Sequence, residues 1–227
     1  MPYRQYRTNG LVIRRVDYGE ADRILTLLTP EHGKVGAIAK GVRKSKSRLA
    51  GSIEFFAESI FTLVEGRGEL DVVSSARLEH FYGNIMRDYD RLEFGYEAIK
   101  LLHKSTEDLL GPEFYQLLKH TFIYLDNTRI PPGVVEVWFR LHLEDILGRL
   151  PSLERDAVGD RLLPEQCYVF EPNERGLVSS PRGDLTADHI KLLRLAEKHS
   201  PAVLAQVADV GTLLPACLNF VRLASAQ

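Results

Sequence analysis

Two hydrophobic periods divide the chain. From residue 8 to about residue 76, apolar residues come in short runs separated by turn residues. Leu11, Val12 and Ile13 lead into Arg14 and Arg15, and residues 16–22 read as a turn in which Gly19 can take positive φ. Residues 24–29 form an apolar, β-branched run stopped by Pro30, and residues 34–39 give a third strand. A long fourth strand spans residues 55–64; after the tight turn at 65–68, residues 69–74 pair back as a fifth. Five short strands with glycine turns predict a small barrel or sandwich. Five strands in ~70 residues fit the OB-fold, a closed or partly open barrel whose third and fourth strands are joined by a long link.

From residue 78 onward the spacing is helical. Phe94, Ala98, Leu101 and Leu102 mark one buried helix face. Gly111-Pro112 interrupts it, and residues 113–125 form a second helix with Phe114, Leu117, Leu118, Thr121 and Leu125 inward. Pro131-Pro132-Gly133 precedes a third, over residues 134–147, that is apolar nearly all round. Only Glu136, Arg140 and Glu144 form a polar stripe, at ion-pair spacing. His142, at the margin of the apolar faces, reads as a core or boundary histidine. The period is lost between residues 148 and 184, which hold Pro151, Pro164, Pro172 and Pro181, an unusually long irregular segment for a domain. Thr186 then caps a helix through Ile190, Leu193 and Ala196. Pro201 opens a short helix, and a last one runs from about 213 to 224 with Pro215 in its first turn. The fold class expected is α+β: an OB-fold nucleic-acid-binding domain over residues 1–78, then a helical domain over 79–227 with an irregular insertion at about 148–184.

Composition narrows the function. The 227 residues are 44% hydrophobic and 26% charged, ordinary values for a soluble globular protein. No apolar run approaches the ~18 residues of a membrane span, and the N-terminus lacks a signal-peptide core, so the expected location is the cytoplasm. Cys167 and Cys217 are too few for a disulfide framework or a four-thiolate metal site. The net charge of −2 conceals an asymmetry: residues 1–50 carry +7 and the remainder −9. Lys40, Arg43, Lys44, Lys46 and Arg48 fall within nine residues that contain no acid. Flexible backbone with clustered cations suits a phosphate backbone, whose condensed counterions are released on contact. Arg14, Arg15 and Lys34 on neighbouring strands extend the track. Tyr18 is either a platform on which a base stacks or a ring across the barrel rim; spacing is compatible with both. Phe55, Phe56 and Phe61 sit at core spacing. No phosphate-binding glycine loop, H-E-x-x-H or G-x-S-x-G is present, and the seven histidines show no metal-ligand spacing. A binding protein without catalytic residues, metal or cofactor is expected.

The order of residues from Gly10 to Phe56 resembles the RecO family of bacterial DNA repair proteins. The resemblance is carried by Asp17-Tyr18-Gly19-Glu20, Asp22-Arg23, Leu27-Leu28-Thr29-Pro30, Gly33, Ala39-Lys40-Gly41 and Ser47-Arg48, and in the helical part by residues 138–153. Many members of that family carry two cysteine pairs that hold zinc after this third helix. Here Asp156, Gly159, Ser179 and Arg182 stand in their place and Cys167 lies alone between them, so no zinc site is expected, the loop being held instead by Tyr168, Phe170 and Leu177. The resemblance implies binding of single- and double-stranded DNA and annealing of complementary strands without ATP. It also implies contact with RecR and the tail of single-strand-binding protein, and indirectly with RecA during recombinase loading, all in association with the nucleoid. The helical domain would scaffold the barrel and offer a partner peptide an apolar groove. An adaptor acting mainly through protein contacts and an RNA-binding OB-fold protein are the alternatives.

Overall fold

Strand β1 (Gln5–Tyr18) is long because it serves two neighbours. Its first half pairs antiparallel with β4 (Ala57–Val64), from Gln5 opposite Val64 to Leu11 opposite Glu58. Its second half pairs with β2 (Asp22–Thr29), from Leu11 opposite Leu28 to Tyr18 opposite Asp22. β2 continues antiparallel to β3 (Gly33–Ala39), and β4 to β5 (Asp71–Phe81). A short parallel contact, Ala37 with Asp71 and Ile38 with Val72, closes the barrel in the order β1-β2-β3-β5-β4. That is the OB-fold-like arrangement the strand count predicts. The computed structural model describes residues 4–44, 47, 49–66, 68–105 and 111–226.

The barrel interior is filled by Val12, Leu25, Leu27, Ala37, Phe61 and Leu63, all at most 2% exposed. Burying each large side chain contributes about 1.5–3 kcal/mol. Gly10 is required by this packing, since a Cβ there would lie 2.9 Å from the Phe61 ring. A bulge between Val12 and Arg14 bends β1 and increases its twist, as closure demands. Leu11 and Ile13 are buried as well, without belonging to the interior cluster. An outer layer is made by α1 (Tyr89–Ser105), which packs on β1, and α2 (Pro112–Asp126), which packs on β2. Barrel and both helices form one compact unit that ends at Asp126.

The fifth strand runs to Phe81, beyond the expected end at 74, and the first helix begins at Tyr89 rather than near 78. Leu78 and Phe81 are 43% and 46% exposed, so their hydrophobicity carried no burial signal. Pairing of Ser59 with Leu78 and Ala57 with Phe81 holds them in the sheet instead. In α1 and α2 the expected inward residues are buried apart from Leu101, which is partly so, and Tyr115 and Phe122 join them.

The second unit begins at Asn127. Its helix α3 (Pro132–Ile146) is buried all round, including the stripe of Glu136, Arg140 and Glu144. Those charges are paired: Arg140 Nε donates to Glu136 at 2.9 Å, and Arg222 donates to both Glu136 oxygens at 2.7 Å. Arg149 binds Glu144 at 2.9 Å. His142 is a satisfied boundary residue, its Nδ1 2.9 Å from the Trp138 carbonyl and its ring stacked on that indole. The irregular segment contains a small hairpin, β6 (Tyr168–Glu171) with β7 (Gly176–Ser179), anchored by buried Tyr168, Phe170 and Leu177. Helices α4 (Ala187–Lys198), α5 (Pro201–Leu204) and α6 (Val210–Ala224) complete the unit. α6 starts earlier than expected, so Pro215 lies inside it and not in its first turn. No helix among the described residues is long and apolar enough to cross a membrane.

Candidate nucleic-acid interface

Antiparallel pairing decides which cations meet. Asp17 opposite Arg23 and Tyr18 opposite Asp22 place the β1–β2 turn at one end of the barrel. Arg23 opposite Ala39 brings the end of β3, and with it the start of the basic stretch at Lys40 to Lys44, to the same end. Gly19 turns the chain at φ 55°, a conformation that glycine adopts without a Cβ clash. Two hydrogen bonds then fasten the basic stretch to this turn. The Gly41 N–H donates to Asp22 Oδ1 at 2.7 Å, and the Arg43 N–H donates to the Ala21 carbonyl at 2.9 Å.

A row of guanidinium groups and carboxylates crosses this end. Arg43 Nε lies 3.4 Å from Asp17 Oδ2, and Arg23 Nε donates to Asp17 Oδ1 at 2.9 Å. Arg23 Nη1 also reaches Glu54 Oε1 at 3.5 Å, and Glu54 forms a tight ion pair with Arg15. The Arg15 guanidinium lies over the Phe55 ring, 4.8 Å from its centre. The hydrogen bond from Arg23, then the charges of Arg43, Arg23 and Arg15, hold the Asp17 carboxyl below the usual carboxylate range. Arg15 and Arg23 are therefore preset in orientation. Arg14, Lys40 and Lys44 are exposed and engage no carboxylate among the described residues. Tyr18, where β1 enters the turn, presents 56% of its surface to solvent.

The structure thus brings Arg15, Tyr18, Lys40, Arg43 and Lys44 to this end, whereas Arg14 pairs with Thr26, itself opposite Gly36, midway along the barrel. Lys46 and Arg48 lie outside the described residues. Lys34 is not brought in. It pairs with Leu28 at the opposite end of β3, six residues or about 20 Å from Lys40. Its ammonium donates to the His103 carbonyl at 2.8 Å, so it fastens α1 to the barrel. Arg23 and Glu54 stand in the row of the candidate site without having been singled out from the sequence. Arg23 stood inside the Asp22-Arg23 pair, whereas Glu54 enters from a distant segment with no local signal.

In the second unit, Asp156 accepts hydrogen bonds from the N–H groups of Val158 and Asp160 at 3.1 and 2.8 Å, which folds the turn at residues 156–160. Gly159 and Arg182 offer no metal ligand, and among the described residues no cluster of three or more His, Cys, Asp or Glu is placed to hold a metal. A groove of about 530 Å³ runs between α4 and α6, lined by Leu192, Leu195, Val207 and Leu213 with Lys191 at its border.

Residues 1–82 match the family described as Recombination protein O N terminal. Several curated proteins called DNA repair protein RecO are similar over most of the chain. One from Bifidobacterium adolescentis is 43% identical, covering 81% of this chain and 74% of its own. One from Dehalococcoides mccartyi is 32% identical, covering 76% and 68%. One from Roseiflexus sp. is 35% identical, covering 74% and 59%.

Proposed function

This chain belongs to the RecO family of DNA repair proteins, and we propose that within it the chain is a DNA-binding recombination mediator. It binds single- and double-stranded DNA, promotes annealing of complementary strands, and helps load the recombinase RecA at gaps. It performs no covalent chemistry and takes no cofactor. RecR and the tail of single-strand-binding protein are its partners, with the α4–α6 groove the candidate seat for an apolar peptide. The observation that carries the reading is the convergence of Lys40, Arg43 and Lys44 beside exposed Tyr18 at one end of a closed barrel, with exposed Arg14 further along β1. Phosphates meet the exposed cations, and bases meet the ring. Arg15 and Arg23 begin paired to Glu54 and Asp17 and so release fewer counterions on binding.

Binding of a labelled single strand across a salt series tests this. Five cations of the basic stretch meeting phosphate give log K against log[salt] a slope of roughly −3.5, at ~0.7 per contact. Replacing Arg43, Lys44, Lys46 and Arg48 with alanine should flatten it. An unchanged slope in that variant overturns the assignment, and equal competition by RNA of the same sequence overturns the preference for DNA.

A further inference from the structure

The row of arginines does not end at Arg15. It continues into aromatic rings that reach α1. Tyr96, on that helix, is 44% exposed, yet its ring is fixed from beneath. It meets Phe55 edge-on at 5.5 Å and Phe56 at 5.0 Å between ring centres. Phe55 in turn lies under the Arg15 guanidinium, which Glu54 holds.

Backbone strain builds this wall. Phe56 has φ 57°, the left-handed region that a bulky residue avoids. The twist sends two consecutive phenylalanines in different directions. Phe56 goes into the core, 1% exposed and packed on Phe122, while Phe55 stays half-buried under Arg15. Gly95 makes room, since a Cβ there would come within 2.7 Å of the Phe56 ring. Strain of this kind persists where surrounding contacts over-determine a conformation, and it gathers at binding sites.

We propose that Tyr96 is a stacking platform for one base of a single strand whose phosphates follow the cations around Arg43. The proposal rests on the DNA-binding reading above and adds a residue on the helical layer to it. Tyr18 and Tyr96 then flank the arginine row, an interleaving of aromatic and basic groups that suits single-stranded nucleic acid. Because the ring is already immobilised by Phe55 and Phe56, little side-chain entropy is lost when a base settles on it.

The test uses the full chain and a 20-nucleotide oligo(dT). Tyr96→Leu keeps an apolar contact with Phe55 but removes the π-face; its affinity should fall roughly ten-fold with the salt slope unchanged. Tyr96→Trp keeps the face and adds a fluorophore to a chain whose only other tryptophan is Trp138; its emission should be quenched on adding the oligonucleotide. Unchanged affinity in Tyr96→Leu overturns the proposal. So does a fall in affinity with a flattened slope, which would place Tyr96 on the phosphate track. Should Tyr96→Leu fail to fold, as far-UV circular dichroism would show, the absence of quenching in Tyr96→Trp overturns it alone. If the parent chain binds without salt dependence, the underlying DNA reading has failed, an outcome distinct from any of these.

Discussion

The carboxylate of Glu58 should clamp α2 to the barrel, and its replacement gives the most direct energetic test of the first unit. Glu58 is 5% exposed on β4. It accepts hydrogen bonds from Tyr115 Oη at 2.7 Å and Lys119 Nζ at 2.8 Å, both on α2, and from Asn9 Nδ2 at 3.2 Å on β1. Burial pushes its carboxyl up, but the bonds from Lys119, Tyr115 and Asn9 more than offset this and leave it below the usual carboxylate range. Glu58→Gln keeps the volume and removes the charge. The bonds from Tyr115 and Asn9 then become neutral ones, a loss of about 1 kcal/mol each. Lys119 is 30% exposed and can turn to water, so its part is small. The expected cost is about 2 kcal/mol, rising to about 3–4 kcal/mol for Glu58→Ala, which leaves the Tyr115 hydroxyl buried without an acceptor. Hydrogen exchange in urea, resolved on β4 and α2 peptides, reads the change, with α3 of the other unit as the reference. The sign with pH follows from the lowered pKa. The stabilisation is complete above the unfolded-state value near ~4.3 and is lost as pH falls through the folded value. Parent and Glu58→Gln should therefore converge in acid. A cost below about 0.5 kcal/mol at neutral pH, or a gap that persists in strong acid, would refute the clamp.

Two further perturbations probe the second unit. Asp156→Ala removes the acceptor for the Val158 and Asp160 N–H groups and should cost about 1 kcal/mol, confined to the turn. Exchange should quicken over residues 156–162 while far-UV circular dichroism stays constant; unchanged exchange would show that the carboxylate does not hold the turn. Cys217 is fully buried, and burial followed by the nearby Asp184 charge pushes its thiol up to about 12. Cys167 is only partly buried. An alkylating agent at pH 8 should label Cys167 in the native protein and Cys217 only after denaturation, as peptide mass mapping would reveal; native labelling of Cys217 would contradict its burial.

The strands and helices were legible where burial and period coincide. Residues 24–29, 34–39 and 113–125 were each read within two residues of β2, β3 and α2, because one face of each meets a core and the sequence repeats accordingly. β5 was legible only in its first half, since the chain beyond Ser74 is largely exposed and is a strand through its backbone partners on β4. The basic stretch was visible as composition, and so was the want of thiolates around Asp156 and Gly159. Which cations act together was not visible. Lys34 lies at the start of β3 and Lys40 just past its end, and the extended strand between them puts them toward opposite ends of the barrel.

By itself, then, the sequence determined the five short strands, the helices after them and a positively charged front end, because these follow from local periodicity and charge; closure of the barrel came from the β3–β5 contact. Only the tertiary structure joined Arg23 and Glu54 to the candidate interface and set Lys34 apart from it. Pairing register also turned Tyr18 outward, and ring contacts link Tyr96 through Phe55 to Arg15. Such juxtapositions depend on which strands pair and in what register, and no window of neighbouring residues contains that information.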